Sequence, residues 1–280
     1  MGEGMLPTYG ERMVMNSEIG SGLDISTINM NSWNSNSYAA WVERFGKPDE
    51  IARKILADPM KMLSSLKDLF SEVKGKRILN IMGSNGTKAV ALAALGADVT
   101  IVDFSEENRR YALDVAASAG VIINFIQSDI LKISDYIESR TFDIVLAEMG
   151  IIHYFTDLNP FMKIAFDMLN KEGIFILKDF HPVSTKLISY RGSTAKVRKY
   201  KITGDYFDKS IEKVEVAYDK HLDSIDVRQF VYIRKWTLGE IVTSMAEEGL
   251  IIRSLKEEPN LSSEVFDRGI PKTFTIVAGR

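Results

Sequence analysis

The chain has 280 residues, 45% apolar and 26% charged, with a net charge of −3 and no cysteine. That length suffices for one full core in an ordinary globular composition. It excludes disulfides, thiolate nucleophiles and thiolate metal sites, and it offers no electrostatic case for nucleic acid or an anionic membrane. No apolar run has the length of a membrane span, and the first residues lack the basic-then-apolar form of a signal peptide, so the expected compartment is the cytoplasm.

Residues 1–32 are polar and aperiodic and read as a loosely ordered tail. Trp33, Tyr38, Trp41 and Phe45 follow at spacings that suit one face of a short helix. Asp58-Pro59 reads as a cap with proline at the first helical position, opening an apolar helical stripe over Met60 to Val73. Residues 33–73 are therefore expected to form a helical, aromatic lid or a piece of core.

The stretch Ile78-Leu79-Asn80-Ile81-Met82-Gly83-Ser84-Asn85-Gly86 reads as a buried strand that breaks through small residues into an alanine-rich helix, Thr87 to Leu95. Such a turn brings backbone N–H groups close to a ligand, with the helix dipole behind them. A second strand, Val99 to Val102, ends on Asp103, and a carboxylate there accepts hydrogen bonds from both hydroxyls of a ribose. Strand, glycine turn, helix, strand and acid make a nucleoside-binding unit. Ser105 caps a helix to about Ser118, and Gly120 stops it.

Further strands are expected over Val121 to Gln127, Phe142 to Ala147 and Ile174 to Lys178, with a helix from Asn159-Pro160 to Leu169. This alternation predicts an α/β fold, a three-layer sandwich whose mostly parallel sheet binds ligands outside the carboxyl ends of its strands. Ser84, Asp103, Asp129, Glu148 and Asp179 all fall at those ends. Residues 183–235 change pattern. Short alternating runs over Val197 to Ile202, Val214 to Tyr218 and Val227 to Ile233 predict a small antiparallel insertion, a substrate cap. Thr237-Leu-Gly-Glu240 matches a capping box, and two strands, Leu250 to Leu255 and Thr273 to Ala278, finish the core made of 74–182 and 236–280.

The segment from Ile78 to Gly86 resembles the Val-Leu-Asp-Leu-Gly-Cys-Gly-x-Gly motif of class I S-adenosylmethionine-dependent methyltransferases, the Rossmann-like kind with seven strands. Gly86 and the apolar strand match; Asn80 replaces the usual acid, and Met82 and Ser84 replace two glycines. Leu169-Asn-Lys-Glu-Gly173 is similar to the family's turn before the fifth strand, and Ile151-Ile152-His153-Tyr154 to a histidine-bearing stretch after the fourth. The resemblance implies S-adenosylmethionine as cofactor. It places Asn80, Gly83, Ser84, Asn85 and Gly86 in the cofactor loop, Asp103 on the ribose and Phe104 on the adenine face. Asp129 and Ile130 fall at the adenine, and Glu148 at the methionine end.

His153 and His181 each follow a strand end and are candidate proton acceptors for the attacking group. Fixing a loop through backbone hydrogen bonds is the alternative for each. His221, in a charged stretch, is expected to be solvated. No histidine or carboxylate stands at a metal-ligand spacing. Asp103 and Asp129 have a second reading as helix caps. Gly83 and Gly86 alone do not make the G-x-G-x-x-G of a dinucleotide site, and Gly86-Thr87-Lys88 has the wrong order for a phosphate loop. The basic run Arg191, Lys196, Arg198, Lys199 and Lys201 reads as a solvated strand edge or as attraction for an anionic group on the substrate.

The function expected is methyl transfer to an oxygen or nitrogen of a small molecule, with no nucleic acid or membrane partner and with a homo-oligomer left open. RNA or protein methylation is a second reading. The fourth strand ends in Ala147-Glu148-Met149-Gly150 rather than the Asn/Asp-Pro-Pro-Tyr/Phe of base-amino methylation. A cofactor-binding protein without catalysis is a third, and a dehydrogenase comes last.

Overall fold

The computed structural model describes residues 24–191, 199–222, 228–259 and 269–280. Its centre is a seven-stranded sheet of β1 (Arg77–Ile81), β2 (Asp98–Asp103), β3 (Asn124–Gln127), β4 (Phe142–Glu148), β5 (Leu169–Phe180), β10 (Ile251–Glu258) and β11 (Thr273–Gly279). The spatial order is β10-β11-β5-β4-β1-β2-β3, with β11 antiparallel to both neighbours and the remaining pairs parallel. The order reverses between β1 and β4. A crevice at such a point is where open α/β sheets bind ligands.

Strand residues alternate between two cores. Ile78, Ile101, Ile144, Leu146 and Ile176 face a layer of α2 (Ser37–Phe45), α3 (Pro48–Ala57), α5 (Thr87–Ala94) and α6 (Glu106–Ala119). Leu79, Ile81, Val145, Phe175 and Leu177 face α7 (Asn159–Met168) and α8 (Leu238–Glu247). The expected caps are present. Ser105 Oγ accepts Asn108 N–H at 3.2 Å, Gly120 closes α6 in the left-handed region, and Thr237 and Glu240 bond reciprocally at 3.1 and 2.9 Å.

Three helix expectations change. Residues 25–32, expected within a loose tail, form helix α1 (Ile25–Trp33) together with Trp33, capped by Asp24, whose side chain accepts Thr27 N–H at 3.2 Å. The stretch Trp33 to Phe45 is not one helix, because a turn at Asn34–Asn36 divides α1 from α2. The stripe from Met60 is a one-turn α4 (Pro59–Met62) followed by a tighter 3₁₀ turn over 64–70. Ser64 at φ +50° breaks the helix there, while Leu63, Leu66, Phe70 and Val73 are still buried.

The insertion holds two antiparallel pairs, β6 (Ile188–Arg191) with β7 (Lys199–Ile202) and β8 (Ile211–Glu215) with β9 (Phe230–Arg234). Of the basic run, Arg191, Lys199 and Lys201 stand on β6 and β7, and Lys196 and Arg198 lie outside the described residues. The expected strand starts at Val197 and Val227 also lie outside them. Among the described residues, no helix is long and apolar enough to cross a membrane.

Candidate active site at the carboxyl edge of the sheet

Two loops flank the crevice, and a carboxylate on the neighbouring strand grips each. After β1, Met82 and Ser84 take positive φ of 48° and 51°, and Gly86 takes 71°. Ser84 N–H donates to Asp103 Oδ2 at 3.0 Å. The other oxygen of Asp103 accepts Ser105 N–H at 2.9 Å and Asn108 Nδ2 at 3.3 Å. Asp103 is buried, and that burial raises its carboxyl above the usual range against the pull of those three donors. A Cβ on Gly86 would stand 2.4 Å from Ala112 Cβ, and one on Gly83 would stand 2.7 Å from Asn80 Oδ1. The two glycines thus let the loop press onto α6 and onto Asn80, whose amide donates weakly to Leu146 O at 3.4 Å. Asn85 Oδ1 accepts both Thr87 N–H (3.1 Å) and Thr87 Oγ1–H (2.8 Å), closing the start of α5.

After β4, Met149 and Gly150 are left-handed, with φ of 63° and 84°. Asp179, fully buried at the end of β5, accepts Gly150 N–H at 2.7 Å, Ile151 N–H at 3.1 Å and Ile152 N–H at 3.3 Å. It also accepts Phe180 N–H at 2.7 Å. This turn carries His153 and Tyr154.

Between β3, the β1 loop and α1 lies a cleft of about 390 Å³, within the size range of small-ligand pockets. Phe104, Asp129, Ile130 and Met82 line it, with Ile25, Ser26 and Asn29 of α1 opposite and Tyr154, Thr156 and Asp157 at one end. Asp24, Asp129 and Asp157 are its charged lining residues, and no lysine or arginine is among them. Asp129 accepts Leu131 N–H at 3.0 Å and Ser26 Oγ–H at 3.1 Å. Both readings of this acid, cap and ligand contact, therefore have a geometric basis.

The wall over the cleft is tied to the insertion. The Asn29 amide pairs with Tyr232 as a strand neighbour would, donating to its carbonyl at 2.9 Å and accepting its N–H at 2.8 Å. Ser32 Oγ donates to Phe230 O at 2.6 Å, and Arg234 Nη1 donates to Thr156 O at 2.9 Å. Trp33 Nε1 donates to Tyr154 Oη at 3.0 Å. Burial pushes the Tyr154 phenol up to about 12. The aromatics Trp33, Trp41 and Phe45 pack on one another and on the α6 core, with Trp41 Nε1 bonded to Asn108 Oδ1 at 2.8 Å.

The histidines separate. His181 Nε2 meets Glu257 Oε1 at 2.6 Å, and its Nδ1 accepts Val183 N–H at 3.1 Å, so both nitrogens are engaged. His153 Nδ1 donates to Arg234 O at 3.1 Å, which in the neutral ring leaves the lone pair on Nε2. That atom is buried without a hydrogen-bond partner, 3.9 Å from Asp179 Oδ1. His221, expected to be solvated, is half-buried and accepts from Arg44 at 2.8 Å. Glu148 forms an ion pair with Lys88 of α5. Sequence reasoning missed α1, Lys88, the cleft role of Tyr154 and the grip of Asp179. Of these, α1 left a sequence signal in the Asp24-x-x-Thr27 cap, and Asp179 in its place at a strand end.

The sequence profile of the methyltransferase domain family matches residues 72–249. The uncharacterized methyltransferase YbaJ of Bacillus subtilis is 29% identical over 129 residues, which span 46% of this chain and 49% of that protein. A ubiquinone biosynthesis O-methyltransferase of Azorhizobium caulinodans is 34% identical over 105 residues, 38% of this chain and 40% of the relative. The chain thus spans about half or less of the length of these two relatives. The crystal structure of an S-adenosylmethionine-dependent methyltransferase from Mesorhizobium loti has a TM-score of 0.60 and 20% identity, covering 80% of this chain and all of the other. This likeness shows the shared Rossmann-like fold. With the profile covering well over half of its length, the chain belongs to the methyltransferase domain family.

Proposed function

We propose that the protein transfers the methyl group of S-adenosylmethionine to an oxygen or nitrogen of a small molecule. The carrying observation is the cleft itself: carboxylates without a cation among its lining residues, sized for a small ligand, at the edge where the sheet order reverses. Such a lining suits a ligand bearing a positive sulfonium and opposes a pyrophosphate. Asp103 would hold the ribose through Oδ2, which has one donor in the structure and so keeps an acceptor site. Phe104 and Ile130 would enclose the adenine, with Asp129 accepting from its amino group. Gly83, lying against Asn80, with Ser84, Asn85 and Gly86 would shape the loop beneath, and Glu148 would stand toward the methionine end.

The cofactor supplies an already activated methyl group, so the protein's task is to align the attacking atom and exclude water. The insertion over 183–235, joined to α1, would wall the acceptor. Where the acceptor arrives protonated, His153 is the favoured base, since its Nε2 keeps a lone pair. His181, fully bonded, would hold the turn after β5.

The test is incubation with S-adenosylmethionine labelled on its methyl group and a cell extract, followed by fractionation. Label in the small-molecule fraction supports the reading. Label in RNA or protein identifies the second one, and bound cofactor with no transfer to any fraction identifies a non-catalytic binder.

A further inference from the structure

Strand β9 is tied to both walls of the cleft through alternate residues, Phe230, Tyr232 and Arg234. On the α1 wall, the Asn29 amide pairs with both backbone groups of Tyr232, and Ser32 Oγ donates to Phe230 O. Tyr218, beyond the end of β8, donates from its phenol to Ser32 O at 2.5 Å. On the opposite wall, Arg234 donates to Thr156 O, and its own carbonyl accepts from His153 Nδ1. Asn29 and Thr156 both line the cleft, so its width cannot change without moving β9.

Neither α1 nor the β8–β9 pair is held by packing of its own. The buried residues of α1 are Asn29 and Ser32, and no apolar side chain of the helix is fully buried. Trp33, at its end, packs on the core, and Ser26 near its start bonds Asp129. Strands β8 and β9 form a separate two-stranded sheet in which Val231 is the one buried residue. A hairpin of that kind is marginal alone, and an element with few buried apolar contacts opens at low cost. Each therefore depends on the other, through the Asn29 and Ser32 bonds along the edge of β9 that faces away from β8.

We propose that Asn29 is a positioning residue that couples occupancy of the cleft to the order of the β8–β9 hairpin, and so to the acceptor wall of the insertion. The inference rests on the adenosyl reading of the cleft. A ligand seated between α1 and the Phe104–Ile130 side restrains α1, and the paired amide of Asn29 passes that restraint to Tyr232. The coupling is reciprocal: whatever steadies the hairpin, an acceptor included, tightens the cleft ligand by the same factor. Cofactor first and acceptor second is then the favoured order of binding, because the first ligand prepares the wall that receives the second.

Hydrogen exchange of the full chain with and without S-adenosylhomocysteine, with calorimetry to establish binding, tests this. In wild type the ligand should slow exchange in α1, β8 and β9 by at least about fivefold, the lower end of coupling between sites. In Asn29→Ala it should still slow exchange at Phe104 and Ile130, while β8 and β9 respond by less than about twofold. Ser32→Ala, which removes one of the three side-chain bonds from α1 to β9, should reduce the response without abolishing it, and serves where Asn29→Ala does not fold. A merely structural Asn29 would loosen β9 equally with and without ligand and leave the ligand response intact. Binding by wild type with no response in β8 and β9, or a full response in either folded variant, would overturn the coupling while leaving the adenosyl site standing. Absence of binding by wild type would overturn both.

Discussion

The loop after β1 and the loop after β4 are built alike and differ in one respect. Each has at least one non-glycine residue at positive φ, and each is gripped by a buried aspartate at the end of the adjacent outer strand. Asp179 holds four backbone N–H groups, two on each oxygen, and is saturated. Asp103 holds three donors and has one oxygen with a single partner. Two acids in matching topological positions thus divide into an anchor and a group with acceptor capacity to spare. Position at a strand end marks a carboxylate as a candidate; the count of donors already on it tells which one has an acceptor site left.

The largest effect should come from removing the saturated anchor. Asp179→Ala leaves several buried N–H groups without an acceptor and should destabilise the fold by about 3–5 kcal/mol in urea unfolding. A loss below about 1 kcal/mol would show that the β4 loop is not held by this carboxylate. Gly86→Ala probes the other loop. It forces a side chain into the left-handed region and into Ala112, and should cost about 2–4 kcal/mol by the same measurement.

A smaller effect is read at Asp103 by varying pH. Burial raises the folded-state pKa of Asp103 above its unfolded value, so the folded chain binds more protons in the interval between them. Its contribution to stability of the free protein is therefore lost as pH rises through that interval. Asp103→Asn should remove this slope relative to wild type. Binding of a ribose hydroxyl runs in the opposite sense, because it needs the carboxylate and strengthens as pH rises through the raised pKa. Measuring unfolding free energy and nucleoside affinity over the same pH series checks both signs.

The core half of the molecule was legible because its signals are local. Apolar runs, Ser105, Gly120 and the Thr237–Glu240 box fix strands and helices from neighbouring residues, and Asp103 and Asp129 sit at fixed offsets from them. Helix α1 was not legible because the residues it buries are Asn29 and Ser32, bonded to the backbone of β9 rather than packed as an apolar stripe. No periodicity marks a helix held by polar bonds to a segment some 200 residues away. The Lys88–Glu148 and Asp179–Gly150 contacts are likewise made across the sheet, so spacing carries no trace of them. His153 and His181 read alike in sequence and are told apart by the ring nitrogen of His153 that has no hydrogen-bond partner.

Calorimetric titration of S-adenosylhomocysteine into wild type and Asp103→Ala addresses the central claim most directly. A single site in wild type, with affinity at least about tenfold weaker in the folded variant, is the outcome expected of a ribose held by Asp103. No binding by wild type, or equal affinity in the two proteins, would contradict it.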